Sequence, residues 1–234
     1  MIYQRYFKTG QQVLLTALDQ RIDVVCTELL TASIVGGNSE SFFLTLPYSE
    51  NATDQFPFTA GMKFEISSEA LGLGVRLTGQ FDKRIDGKRI SLKVNQDLQM
   101  FQRRGKPRID CEIGLRFTRG QGTMKALRAT WEKNIQLLHS PDAPLIFEGF
   151  KPCKINLSSA GIRLNLRAPA NPTELCLILL NLEDGKAPVC ALAEIAWTRP
   201  EQEETVIVSG MRFINILAED QARIDNFITL NSRR

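Results

Sequence analysis

The sequence predicts a mainly β protein built from two antiparallel domains, and three observations carry that prediction. Most apolar runs are short and end at turn residues, a basic stretch with Gly and Pro interrupts them near the middle, and only two segments change to a helical period. Several short strands at such spacing favour a small antiparallel barrel or sandwich.

In the first hundred residues the apolar runs include Gln12–Ala17, Asp23–Leu30, Ser41–Leu46, Met62–Ile66, Gly74–Leu77 and Ile90–Val94. Gly36-Gly37, Asn51 to Asp54 and Asp86-Gly87 separate several of them as turns or loops. Gln102 to Arg108, QRRGKPR, then breaks the rhythm with four positive charges. Gly105 and Pro107 disfavour regular structure there, because proline also pushes the preceding Lys106 out of the helical region. A domain boundary is expected at this stretch: a first domain over 1–101, a linker over 102–108 and a second domain over 109–234.

Past the linker, Asp110–Phe117 reads as a strand. Thr123–Leu138 is helical, because Met124, Leu127, Trp131, Ile135 and Leu138 recur at helical spacing on one face, and Ser140-Pro141-Asp142 stops it. Strands resume at Pro144–Phe150, Cys153–Leu157, Ile162–Leu166, Leu175–Leu182, Val189–Trp197 and Thr205–Phe213. A second amphipathic helix over Glu219 to Leu230 presents Ile224, Phe227 and Ile228.

Bulk properties narrow the function. A chain of 234 residues suits two domains of about 100 to 130 residues and can bury a core without metals or disulfides. Hydrophobic residues at 43% and charged residues at 24% are ordinary for a globular protein. Net charge is only +3, so any basic site must be local, which counts against general nucleic-acid binding. Cys26, Cys111, Cys153, Cys176 and Cys190 are odd in number and scattered, with no CxxC pair. They suggest buried apolar residues in a reducing compartment, not a disulfide framework or zinc site. The N-terminal octet lacks an apolar signal core and no run of 18 apolar residues occurs, so a cytoplasmic protein without membrane insertion is expected. The sequons at Asn51 and Asn156 then carry no glycan.

Catalysis finds little support. His139 is the only histidine, which removes most nucleophile triads and histidine metal sites, and it falls at a helix end suited to capping or exposure. Gly72-Leu-Gly74 lacks a third glycine and a following Lys-Ser/Thr pair, so it reads as a strand edge or turn. Glu201, Glu203 and Glu204 read as a solvated hairpin tip. No enzyme and no cofactor are expected.

Two features of the second half belong together. Arg103, Arg104 and Arg108 lie in the basic linker, and Asn156-Leu-Ser158-Ser-Ala-Gly161 lies at a polar turn between two strands. Arg104-x-x-x-Arg108 followed by Asn156-x-Ser158-x-x-Gly161 resembles the RxxxR and (D/N)xSxxG pair of PilZ domains. Gly161-Ile-Arg-Leu, Ala193-Glu-Ile-Ala-Trp197 and Gly210-Met-Arg-Phe213, with the closing helix, follow the order of that family's strands and terminal helix. The resemblance covers roughly residues 102 to 232. Gly61 to Leu98 is similar, more loosely, to the domain that precedes PilZ in flagellar-brake proteins of the YcgR type. One departure is the 48 positions from Arg108 to Asn156, a long interval that holds the Thr123–Leu138 helix.

This resemblance implies a PilZ six-stranded barrel after a split-barrel-like N-terminal domain, with an inserted helix and a C-terminal helix. It also implies a cytoplasmic receptor for cyclic di-GMP that binds through Arg103, Arg104, Arg108, Asn156, Ser158 and Gly161. The expected output is on flagellar motility or surface behaviour such as biofilm formation, through a protein partner such as the flagellar motor at the basal body. DNA is not an expected partner, and a homodimer is compatible with the sequence. The residue chemistry fits independently. Guanidinium forks bind phosphate or the guanine Hoogsteen edge in bidentate fashion. Each such contact contributes about 1.5–3 kcal/mol, so two or three supply much of the roughly 8 kcal/mol of micromolar binding. Asn156 offers a donor and an acceptor, Ser158 adds a hydroxyl, and Gly161 allows positive φ or close ligand approach. The rival reading is a PilZ-like protein–protein interaction module whose working surface is the Thr123–Leu138 helix.

Overall fold

The computed structural model describes residues 5–18, 26–48, 56–70, 73–102, 105–119, 122–140, 149–200 and 205–232. The chain divides into two compact units, the first holding Met1–Asp23, Thr27–Gly105 and Thr123–Lys125 and the second Val24–Cys26, Lys106–Gly122 and Ala126–Arg234.

The first unit contains β1 (Gln12–Ala17), β2 (Cys26–Gly37), β3 (Ser41–Thr45), β4 (Lys63–Ala70), β5 (Leu73–Arg84), β6 (Arg89–Val94) and β7 (Gln99–Phe101). Six of them form a closed antiparallel ring in the order β1-β4-β5-β6-β3-β2, which returns to β1 through the pairing of β1 with β2. Side chains alternate across each strand, so Val13 and Leu15, Leu30 and Ala32, Phe42 and Leu44, Phe64 and Ile66, Val75 and Leu77, and Ile90 and Leu92 are buried together. Burying each large side chain contributes about 1.5–3 kcal/mol, which selects one register over a one-residue slip. Asp86 makes the β5–β6 turn, its carboxylate accepting from the Lys88 and Arg89 amides at 3.0 and 2.8 Å.

The turn expected at Gly36-Gly37 is corrected: both glycines belong to β2, and Asn38 makes the turn by accepting from the Glu40 and Ser41 amides at 2.9 Å each. A register shift sits between Ile34 and Gly36, and a Cβ at Gly37 would stand 2.6 Å from the Ser41 carbonyl oxygen. Glycine is therefore needed inside the strand, where the partner backbone comes close. The short strand β7 escaped the sequence reading because it has three residues, paired with Gly74 to Arg76.

The second unit contains β8 (Ile109–Arg119), most of α1 (Met124–Leu138), β9 (Lys151–Ser158), β10 (Gly161–Arg167), β11 (Leu175–Asn181), β12 (Val189–Pro200), β13 (Val206–Leu217) and α2 (Ala218–Asn231). Its strands form another closed ring of six, β13-β10-β9-β8-β11-β12, returning through the β12–β13 pair. Its core includes Ile113, Leu115, Ile155, Leu157, Ile162, Leu164, Ile178, Leu180, Ile195 and Phe213, with Ile224 and Ile228 of α2 added to it. Glu219 and Asp220 in the first turn of α2 complement the helix dipole. The inserted helix α1 turns its apolar face inward: Trp131, Ile135 and Leu138 are buried, and the Trp131 indole donates to the Cys190 carbonyl at 3.0 Å. The strand expected over Pro144–Phe150 falls on residues 144–148 outside the described set, and Gly149 and Phe150 are not in a strand.

Candidate functional site

The Asn156–Gly161 motif is the β9–β10 hairpin. Ser158 ends β9, Ser159 and Ala160 form the two-residue turn, and Gly161 begins β10. The register pairs Ser158 with Gly161, Leu157 with Ile162 and Asn156 with Arg163. Because the strand has a period of two, Leu157 enters the core while Asn156 before it faces outward.

Ser158 is 1% exposed and its hydroxyl donates to the Gly161 carbonyl at 3.1 Å, so it closes the hairpin on itself. Of the two roles open to Gly161, a positive φ is not used, since the described glycines with positive φ are Gly10, Gly61, Gly149 and Gly185. Residue 161 must be glycine because β13 approaches it: an added Cβ would overlap the Met211 carbonyl oxygen and stand 3.1 Å from the Arg212 Cα. Asn156 is the half-buried, outward-facing member of the motif.

Strand β8 brings the end of the basic linker to the same place. Its register pairs Ile109 with Leu157 and Asp110 with Asn156, so exposed Arg108 stands one residue before the Ile109–Leu157 pair. Arg103 and Arg104 lie outside the described residues. Asp110, Asn156 and Arg163 thus form one row across β8, β9 and β10. The Asn156 amide donates to Asp110 Oδ1 at 2.9 Å, and the Arg163 guanidinium donates to that same oxygen at 3.2 Å. This row lines an open groove of about 670 Å³ that also includes Glu112, Lys154 and Asn165.

The electrostatics favour exchange of partners. Side-chain exposure is 46% for Arg163 and 79% for Asp110, and such solvated pairs contribute about 0–1 kcal/mol. An anionic group can therefore draw Arg163 away from Asp110 at small cost. Thiolate formation at the nearby thiols is disfavoured: burial raises the pKa of Cys111 and of Cys153, and Asp110 and Glu112 respectively raise them further. Among the described residues no group of three His, Cys, Asp or Glu is arranged to hold a metal ion.

Asp110 and Arg163 were missed in the sequence. Arg163 was within reach, because a two-residue hairpin closing at Ser158 and Gly161 must oppose residues 156 and 163. Asp110 was not, because the β8–β9 register spans residues 120–150 and is set by tertiary packing.

Comparison with known proteins adds a family. The PilZ domain family matches residues 102–230. A comparison with curated protein sequences finds no match. Similar solved structures include the inhibitor of motility MotI/DgrA of Bacillus subtilis, at 14% identity over 97% of this chain and 100% of that one, with a TM-score of 0.38. YcgR of Escherichia coli in complex with c-di-GMP matches at 14% identity over 99% of this chain and 88% of that one, TM-score 0.36. The MrkH–c-di-GMP complex of K. pneumonia matches at 12% identity over 96% and 90%, TM-score 0.34.

Proposed function

We propose that this chain, which belongs to the PilZ domain family over residues 102–230, is a non-enzymatic receptor for cyclic di-GMP. The observation that supports this best is the convergence of the two family motifs on one strand pair. Arg108 precedes β8 and Asn156 lies on β9 opposite Asp110, beside a groove whose size falls within the roughly 300–1,000 Å³ of small-molecule sites.

In this reading, Arg103, Arg104 and Arg108 of the 102–108 linker bind phosphate and guanine edges of the ligand. Asn156 contributes its amide from β9, and Arg163 joins by leaving Asp110. Ser158 and Gly161 act by holding the hairpin that presents Asn156. Ligand binding then draws the linker onto the second barrel and favours one arrangement of the domains 1–101 and 109–234. The output is on flagellar motility or a related surface behaviour, through a cytoplasmic protein partner.

The rival reading, an interaction module working through α1, is weakened by the burial of Trp131, Ile135 and Leu138. Calorimetric titration of cyclic di-GMP tests the proposal, with Arg104→Ala and Arg108→Ala alongside wild type. Binding at micromolar Kd or tighter that weakens by about tenfold in each variant, the loss of roughly one charge-assisted contact, is the expected result. No heat and no thermal shift from folded wild type would sink it.

A further inference from the structure

Helix α2 contacts both halves of the proposed ligand motif, through Asp225 at the linker and Gln221 at the hairpin turn. Lys106, midway between Arg104 and Arg108, donates to Asp225 Oδ2 at 2.7 Å. The same helix meets the other half of the motif at Ser159, at the turn of the Asn156–Gly161 hairpin. Ser159 is wholly buried, and its carbonyl accepts from the Gln221 side chain at 3.0 Å, one helical turn before Asp225. Partial burial would raise the Asp225 pKa, but the bond and charge of Lys106, with the Ser159 side chain nearby, outweigh it and hold the pKa below its ordinary value.

An ion pair this exposed adds little to global stability by itself, with Lys106 at 54% and Asp225 at 34%. Its position matters more. Consecutive Cα atoms are about 3.8 Å apart, so pinning Lys106 keeps the Cα atom of Arg108 within about 7 Å of the anchored residue. The Arg104-x-Lys106-x-Arg108 segment is thereby tethered at its midpoint to the helix that also holds the hairpin turn. Gly105 and Pro107, on either side of Lys106, cannot supply this order by regular structure.

We propose that Asp225 is a positioning residue for the cyclic di-GMP site, holding the linker beside the Asn156–Gly161 hairpin through Lys106. This rests on the receptor reading above. Asp225 touches no ligand in this scheme; it reduces the ordering that the ligand must otherwise impose on the linker.

The test is a titration of cyclic di-GMP into the full chain as wild type, Asp225→Asn, Lys106→Met, Lys106→Arg and the Asp225→Asn/Lys106→Met double variant, each with a thermal melt. Binding by wild type establishes the underlying reading, and its absence defeats that reading before Asp225 is addressed. Given binding, Asp225→Asn and Lys106→Met should each weaken it by about three- to tenfold with the melting temperature nearly unchanged. The double variant should lose no more than either single variant, and Lys106→Arg should retain wild-type affinity by keeping the ion pair. Unchanged or tighter binding in both single variants, or losses that multiply in the double variant, would overturn the proposal. If Asp225→Asn does not fold, the contrast between Lys106→Met and Lys106→Arg decides.

Discussion

Trp197 covers Gly210 directly across the β12–β13 pair, so closely that a Cβ at residue 210 would overlap the indole Cε2 and Nε1. The two residues belong to the Ala193–Trp197 and Gly210–Phe213 segments, which the same register brings face to face. Gly161, at the other edge of β13, meets backbone instead: the Met211 carbonyl.

The two glycines should therefore differ in tolerance. A 43% exposed indole can swing aside, whereas a paired strand carbonyl cannot. Gly161→Ala is expected to cost about 3 kcal/mol and Gly210→Ala about 1 kcal/mol, the range of overpacking. Chemical denaturation of both variants checks the order. Equal losses would show that the β10–β13 backbone yields as readily as the Trp197 ring. Indole fluorescence should shift only in Gly210→Ala.

The Asp110–Arg163 pair should split in its effect on ligand affinity. Arg163→Ala removes a charge-assisted contact to the ligand and should weaken cyclic di-GMP binding by about tenfold. Asp110→Asn removes the competitor for Arg163 and a negative charge beside the phosphates, so affinity should rise a few-fold at low salt. Weaker binding in both would mean that Asp110 itself contacts the ligand.

Arg223 ties α2 to the β11–β12 connection. It donates to both Asp184 oxygens at 2.9 Å, to Asp220 Oδ1 at 2.7 Å and to the Ala187 carbonyl at 2.8 Å. Asp220 is 2% exposed, so Arg223→Met leaves a buried carboxylate uncompensated and should cost about 3 kcal/mol. A fall in Tm on the order of 10 °C is expected from scanning calorimetry, and a change under about 2 °C would contradict it.

The same network sets part of the acid response. Hydrogen bonds from Arg223 hold the Asp184 carboxyl below its ordinary value despite partial burial. A depressed carboxylate adds stability above its unfolded pKa of about 3.9, and that stability is lost as pH falls through the folded value. Asp220 has the opposite sign, because burial outweighs Arg223 and His139 and raises it; its contribution is present at low pH and lost as pH rises. Asp184→Asn should accordingly flatten the loss of stability below about pH 4, measured by denaturation across pH. An acid limb as steep as wild type would rule this out.

Thiol labelling probes the second barrel. Burial pushes Cys176 up to about 11 and Cys190 up to about 12, the former opposed by Arg119 and the latter reinforced by Asp220. Both should resist iodoacetamide at pH 8 in the folded protein and react after denaturation, read by mass spectrometry of peptides. Rapid modification of either in the native state would mean that the barrel opens locally.

The period of the sequence determined the secondary structure because strand and helix periods are local properties. Gln12–Ala17 matches β1 as read, and Met124, Trp131, Ile135 and Leu138 marked the buried face of α1. The Asn156–Gly161 spacing likewise marked a hairpin, since a two-residue turn is local. Tertiary structure decided everything that depends on residues far apart in the chain. The β1–β2 and β12–β13 pairings close the two rings, the β8–β9 register sets Asp110 opposite Asn156, and α2 meets Lys106 through Asp225 and the Ser159 carbonyl through Gln221. Even Gly161 changed meaning: the sequence showed a residue without a side chain, and only the approach of β13 showed what fills the space. The reason is physical, since a local pattern states which face of a strand is apolar, while the strand it pairs with follows from burying all those faces in one closed core.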